Sequence, residues 1–134
     1  MKTAIAKGVL YFAAVFAFAF VMGVFRTLVV APRIGATAAV GIEIPLILIT
    51  SWIVARRLLR DRSYTLGQRI IIGAVAFILT MASEATLSVI LRGEAVSVWA
   101  ASLFTPLGLL GLAGQIGFAI IPVFAGRTRG KPAA

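Results

Sequence analysis

The chain contains no cysteine and no histidine. Without cysteine there is no disulfide, no thiolate nucleophile and no Cys-ligated metal. Without histidine the commonest metal ligand and the usual general base near neutral pH are missing. Acidic residues are also scarce, four against 13 Lys and Arg, so any acid-base chemistry falls to four carboxyl groups. There is no P-loop, dinucleotide-binding glycine motif, nucleophile elbow or metal-ligand spacing. The sequence therefore predicts no cofactor, no metal and no enzyme activity.

Apolar residues are what the chain has in abundance. They make up 61% of the 134 residues, while charged residues make up 13%, against roughly 45–50% and 25% in soluble domains. A helix needs about 20 apolar residues to cross about 30 Å of hydrocarbon, and four such runs fill most of the chain. We expect one all-α membrane domain over residues 1–134, an up-and-down bundle of four transmembrane helices. The predicted segments are helices 8–31, 35–55, 69–91 and 96–124, a basic loop 56–69 and a short basic tail 126–134.

The basic residues are distributed unevenly between the two ends of the predicted helices. On one side only Arg33 and Arg92 flank the apolar runs. The other side carries Lys2, Lys7, Arg56, Arg57, Arg60, Arg62, Arg69, Arg127, Arg129 and Lys131. Because the cytoplasmic loops of membrane proteins carry the excess of Lys and Arg, we expect both termini in the cytoplasm of a bacterial inner membrane. The basic loop can also contact anionic lipid head groups. No motif or aromatic interleaving for nucleic acid accompanies these charges, so no nucleic-acid partner is expected.

Three charged residues lie inside the predicted membrane helices, namely Arg26, Glu43 and Glu84. At about 1.5 Å of rise per residue, Arg26 lies ~9 Å and each glutamate ~12 Å from the same membrane boundary. Ionisable residues inside a membrane are costly and mark functional sites by default. We therefore expect all three to meet in one layer that binds a substrate or an ion. The secondary polar residues predicted to line this layer are Thr80, Ser88, Ser102 and Thr105.

Prolines and glycines near this layer predict helix kinks and close packing. Pro45 and Pro106 each remove the hydrogen bond to a carbonyl four residues earlier, at Gly41 and Ser102, so a kink is expected at both prolines. Glycines recur every three residues along the fourth predicted helix, which favours close approach of a helix of the same chain or of a second copy. These glycines are Gly108, Gly111, Gly114 and Gly117.

The charged layer supports two main hypotheses about function. One arginine and two glutamates leave a formal charge of −1, so in a low-dielectric site one carboxyl group holds a proton or attracts a cation. The first hypothesis is a small transporter or channel linked to protons or cations. The alternative is a non-catalytic membrane subunit or scaffold, in which the layer is a structural lock and the chain binds a second copy or another membrane protein. An enzyme acting on lipid with a carboxyl pair as acid and base ranks last.

Overall fold

The computed structural model describes residues 2–61 and 63–126, and this part of the chain is all-helical. The first long helix consists of α1 (Lys2–Phe25), a π-helical segment (Arg26–Val30) and α2 (Ala31–Ile34). The other elements are α3 (Ala36–Leu58), α4 (Leu66–Arg92), the short α5 (Val96–Ser102) and α6 (Pro106–Ala125). Four helices are long and apolar enough to cross a membrane: Lys2–Ile34, Ala36–Leu58, Leu66–Arg92 and Pro106–Ala125. The prediction of an all-α protein with four such helices is confirmed. Arg62 and the predicted tail beyond Gly126 lie outside the described residues.

The four long helices form a ring in which each packs against two others. Helix α1 packs against α3 and α4, and α6 packs against the same two helices. Thus α1 lies diagonally opposite α6, and α3 lies diagonally opposite α4. Because successive long helices alternate in direction, α1 is parallel to α4 and α3 is parallel to α6. The connection 59–65 therefore crosses the bundle diagonally at the end that also carries Lys2 and Ala125, which we call the termini end. The opposite end, where the chain turns at Gly35 and Gly93, is the turn end.

The first helix continues past Pro32, where the sequence predicted that it would end. Proline lacks an N–H, and its ring clashes with the carbonyl four residues earlier in a regular helix. A π-helical segment precedes it, with the Ala31 N–H donating to the Arg26 carbonyl, and this wider turn can accommodate the proline. The helix ends instead at Gly35, whose φ of 88° favours glycine.

The predicted loop 56–69 is shorter in the structure, because helices extend into it from both sides. Helix α3 runs to Leu58, and α4 begins at Leu66. The start of α4 is set by a capping box, in which the Thr65 hydroxyl accepts from the Gln68 N–H at 3.1 Å and the Gln68 side chain accepts from the Thr65 N–H at 2.9 Å. These bonds satisfy two backbone donors that a helix start leaves open.

The fourth predicted helix is broken in two, so the expected kink at Pro106 is wrong. Proline disfavours helical backbone in the residue before it and is well suited to the first turn of a helix. Accordingly Thr105 is extended and caps α6 by accepting from the Gly108 N–H at 3.1 Å. The Ser102 carbonyl, predicted to be free, accepts from the N–H and the hydroxyl of Thr105. Pro45 does lie inside α3, as predicted.

The closest helix contacts involve two glycines that the sequence did not single out. A Cβ on Gly8 of α1 would lie 2.9 Å from the Val75 Cβ and 3.0 Å from the Ile72 carbonyl oxygen of α4. A Cβ on Gly73 would overlap the Ala119 carbonyl of α6. Glycine at these positions lets the backbone of α4 approach both neighbours closely.

The predicted packing role holds for only part of the α6 glycine series. Gly114 and Gly117 face Ile44 and Leu48 of α3, where an added Cβ would lie 3.2 and 3.1 Å from the nearest side-chain atom. A Cβ on Gly111 would meet nothing within 4 Å, and one on Gly108 would clash with the preceding residues of its own chain. Close packing within the chain is therefore seen at Gly114 and Gly117 toward α3 and at Gly108 toward the end of α5. Gly111 has no such neighbour among the described residues, and its contact with a second copy stays a prediction.

A closely packed core fills the half of the bundle near the termini end. Tyr11 is fully buried, its hydroxyl donates to the Phe118 carbonyl at 2.6 Å, and its ring stacks on the Phe118 ring with centroids 4.5 Å apart. Ser51 is buried as well and donates to the Ile47 carbonyl at 2.7 Å. The other core residues are Ala4, Val15, Ala55, Leu59, Tyr64, Ile72, Ala76 and Ala125. This half of the bundle is closed by side-chain packing.

Arg69, at the boundary between the predicted basic loop and the third predicted helix, is buried. Only 6% of its surface is exposed, and its guanidinium donates to the Val123 carbonyl near the end of α6. The last carbonyls of a helix lack partners within the helix and favour a nearby positive charge. Arg69 therefore ties the start of α4 to the end of α6 instead of facing lipid head groups.

The termini end also carries an ion pair from which a pH dependence follows. The Lys7 ammonium lies 3.3 Å from one Asp61 carboxylate oxygen, and the Tyr64 hydroxyl donates to the other at 2.9 Å. The Tyr64 hydrogen bond, and after it Lys7, hold the pKa of the Asp61 carboxyl below its ordinary value. A lowered pKa stabilises the fold above the ordinary value of about 4, and this contribution is lost as the pH falls through the lowered pKa.

We therefore expect Asp61→Asn to lower the thermal unfolding temperature at pH 7 and to differ progressively less from the wild type as the pH approaches 3. Unfolding of the purified protein in detergent, followed by circular dichroism across this pH range, measures the difference. Arg57→Gln at the same end is the control, since it removes a charge that is exposed. A gap between Asp61→Asn and wild type that stays constant down to pH 3 would contradict the assignment.

Candidate functional site

A cavity of about 750 Å³ lies between the helices in the half of the bundle near the turn end. All seven residues predicted to bind a substrate or an ion line it: Arg26, Glu43, Thr80, Glu84, Ser88, Ser102 and Thr105. Its apolar wall includes the aromatic side chains of Phe16, Phe20, Trp99 and Phe118. Since Phe118 also stacks on Tyr11 in the core, the core forms the floor of the cavity.

Arg26 and Glu43 form an ion pair in this cavity. The Arg26 Nε lies 3.0 Å from the Glu43 Oε2, and Glu43 is only 8% exposed. The contact lacks the alignment of a hydrogen bond, so Oε2 is held by charge attraction and has no hydrogen-bond partner within residues 2–61 and 63–126. Arg26 is the first residue of the π-helical segment, and segments of this kind occur frequently at functional sites.

Glu84 has different partners from those the sequence predicted. It lies on α4, within hydrogen-bonding reach of the Gln115 side chain on α6, and is attracted by the charge of Arg26 at longer range. Within the described part of the chain Glu84 forms no salt bridge, because Arg26 is engaged by Glu43. The expected layer of one arginine and two glutamates is thus an ion pair with a second carboxyl group beside it.

Gln115 is the site residue that sequence reasoning missed. Its side chain lies within hydrogen-bonding reach of Glu84, and its Oε1 is buried and has no hydrogen-bond partner among the described residues. The signal was present, because Gln115 is the only polar side chain in α6. An amide in an otherwise apolar membrane helix is costly unless it has a partner or a ligand, so it belongs with the charged residues and not with the glycine series.

Each of the four hydroxyl groups of the site already donates a hydrogen bond within the protein. Thr80 donates to the Ala76 carbonyl at 2.8 Å, Ser102 to the Trp99 carbonyl at 2.6 Å and Thr105 to the Ser102 carbonyl at 2.7 Å. The fourth hydroxyl, of Ser88, donates to the Glu94 carboxylate at 2.7 Å. A hydroxyl has one proton and two lone pairs, so toward the cavity these groups can only accept. Together with the two carboxyl groups, they make the lining rich in acceptors.

The charges at the rim are close to balanced. Arg92 lines the cavity at the end of α4 and is exposed, and Glu94, which accepts from Ser88, lies two residues later. With the rim included, two arginines face three glutamates, so the formal charge of the site is −1. The excess negative charge is inside the cavity, at Glu84, because Arg26 is paired with Glu43.

Protein-family models, curated proteins and solved structures show no match to this chain. The chemistry of the cavity is therefore the basis for a function. Among the residues described, no three acidic side chains come together as a metal site. What the arrangement can do is hold a positive charge, or a proton, beside Glu84 within an apolar enclosure.

Proposed function

We propose that this protein is a small transporter or channel for protons or cations, with the cavity as its binding site. The observation that carries the proposal is the placement of Glu84, a carboxyl group that lines the cavity without a cation of its own. An unpaired charge inside a membrane is costly, so a proton or a cation that enters the cavity is stabilised there. Arg26 pairs with Glu43 and so neutralises one of the two carboxyl groups. A cation in the cavity is then held mainly by Glu84 and can leave again.

The orientation that we propose places both termini in the cytoplasm of a bacterial inner membrane. The bias of Lys and Arg toward the termini end supports it, as Lys2, Arg56 and Arg60 lie at that end. The cavity then opens to the outside, and the Tyr11–Phe118 core closes it from the cytoplasm. Passage of a cation requires this core to part, as in transporters that expose a central site to the two sides in turn.

Flux through liposomes tests the proposal. We expect the wild type to carry protons or a monovalent cation, and Glu84→Gln to reduce the rate by about tenfold or more, since a charge-assisted contact contributes about 1.5–3 kcal/mol and ~1.4 kcal/mol is a factor of ten. The measurement follows a pH-sensitive dye and ⁸⁶Rb⁺ uptake in vesicles with a set ion gradient.

Asp61→Asn serves as the matched control, because it removes a carboxylate that lies outside the cavity, and at pH 7 it should keep the wild-type rate. Wild-type flux in both Glu84→Gln and Glu43→Gln would rule out the carboxyl groups as the site. Folded wild-type protein that passes no proton or cation would favour a scaffold whose charged layer is a structural lock.

A further inference from the structure

We infer that the ligand of this cavity is a lipophilic organic cation, a drug-sized molecule whose positive charge pairs with Glu84 and whose apolar body packs against the aromatic wall. The inference rests on the proposed function and names its substrate class. Three independent features carry it: the size of the cavity, the composition of its wall and the sign of its free charge.

The size of the cavity fits an organic molecule better than a bare ion. At about 750 Å³ it lies within the range of roughly 300–1,000 Å³ typical of sites for drug-sized ligands. A small inorganic cation needs several oxygen ligands drawn tightly around it. Here the acidic groups come from separate helices, and no three of those described form a metal site. An inorganic ion would leave most of the enclosure empty.

The wall of the cavity is suited to a cation with apolar substituents. Phe16 and Phe20, one turn apart on α1, form a continuous aromatic surface with ring centroids 6.4 Å apart, and Trp99 lines the cavity from α5. Aromatic faces attract organic cations through the ring quadrupole, most strongly where water is excluded. Apolar substituents are stabilised further as their surface is removed from water. The same wall offers nothing to a small hydrated ion.

The carboxyl group of Glu84, which has no salt-bridge partner among the described residues, favours a cation over an anion or a lipid chain. The charge of the Arg26 guanidinium inside the cavity is already balanced by Glu43, 3.0 Å away, so an anion finds no uncompensated positive charge there. An acyl chain would fill the volume but leave Glu84 without a counter-charge. A cation beside Glu84 also lies near the lone pairs of hydroxyls such as that of Thr80, whose own proton is used in a hydrogen bond to the Ala76 carbonyl.

Binding of tetraphenylphosphonium to the purified protein in nanodiscs of zwitterionic lipid tests the inference. We expect saturable binding to the wild type, and at least about tenfold weaker binding to Glu84→Gln, the loss of one charge pair in a low-dielectric site. Triphenylphosphine oxide, a neutral probe of related shape, should bind the two proteins equally. Phe20→Ala should weaken both probes, because it removes part of the wall. Asp61→Asn is the control and should bind like the wild type.

Two outcomes would overturn the inference: no saturable binding by wild-type protein that is monodisperse and folded, or equal binding of tetraphenylphosphonium to wild type and Glu84→Gln. The flux assay on the same preparation separates this failure from that of the proposed function. Flux of protons or ⁸⁶Rb⁺ that depends on Glu84 without phosphonium binding refutes only the substrate class. Phosphonium binding that depends on Glu84, without flux of any cation including phosphonium itself, supports the site and refutes transport.

Discussion

Arg26→Gln is expected to lower the thermal unfolding temperature sharply, and Arg26→Gln combined with Glu43→Gln is expected to recover much of the loss. Glu43 is buried, and the guanidinium 3.0 Å from its Oε2 is its only charged partner among the ion pairs described. Removal of one member of a buried ion pair typically costs about 3–5 kcal/mol, because the other charge is left uncompensated. Arg26 is partly exposed, with 32% of its side chain accessible, so we expect about 2–3 kcal/mol here, near the lower limit of that range.

The double variant distinguishes this explanation from a simple loss of packing. If the loss of stability in Arg26→Gln comes from the Glu43 carboxylate left without a counter-charge, replacing Glu43 by glutamine restores that stability. Arg33→Gln is the matched control on the same helix, since that guanidinium makes only a long 3.4 Å bond to the Val29 carbonyl and is exposed. Unfolding followed by circular dichroism in detergent at pH 7 gives the unfolding temperatures of the wild type and the three variants. A double variant no more stable than Arg26→Gln would refute the ion pair as the cause.

Among the described glycines at which one long helix meets another, Gly73→Ala is expected to be the most damaging methyl addition. The new Cβ would overlap the Ala119 carbonyl, a backbone atom that cannot turn aside as a side chain can. Overpacking of a core typically costs about 1–3 kcal/mol and occasionally more. Because α4 and α6 must separate along their length to admit the methyl group, we expect the upper part of that range and a fall in the yield of monodisperse protein.

Gly111→Ala is the matched control for Gly73→Ala. A Cβ there meets nothing within 4 Å, and glycine inside a helix is less stable than alanine by roughly 0.5–1 kcal/mol. The unfolding temperature of Gly111→Ala should therefore equal or exceed that of the wild type. Equal destabilisation by both substitutions would show that α4 and α6 do not cross closely at Gly73.

The fold was predictable because its signal is additive along the chain. Each crossing of a bilayer needs a run of about 20 apolar residues. The chain has four such runs, which remain visible whatever the local details of turns and caps. The break between α5 and α6 was harder to see, since the residues on both sides of Thr105 and Pro106 are apolar. The local signal was there: a threonine followed by proline is a typical helix start.

The sequence predicts the level at which the three charged residues lie in the bundle, but not which acid pairs with the arginine. Helical rise places Arg26, Glu43 and Glu84 at one level, but which acid meets the arginine depends on the rotation and tilt of each helix, which sequence periodicity does not fix. The diagonal arrangement of α3 and α4 separates the two glutamates, so one pairs with Arg26 and the other with Gln115. The rotation of α6 also decides which of its glycines pack against a helix. Gly114 and Gly117 face α3, whereas Gly111 lines the cavity.

A cavity that contains Glu84, open to water at the turn end and closed at the termini end, can be tested with single cysteines. The chain has no cysteine, so single cysteines can be placed without a background. Gly111 and Ala113 lie on opposite sides of α6, the first lining the cavity with room for a side chain and the second exposed on the outer surface of the bundle. Each cysteine variant is treated in sealed vesicles with a charged, membrane-impermeant methanethiosulfonate.

We expect Gly111→Cys to be labelled from one side of the membrane only, and faster by a cationic reagent than by an anionic one, a preference that Glu84→Gln weakens. Ala113→Cys, facing hydrocarbon, should stay unlabelled by either reagent. Protection of Gly111→Cys from both reagents and from both sides would show that the space around Glu84 is closed to water, which would contradict the account.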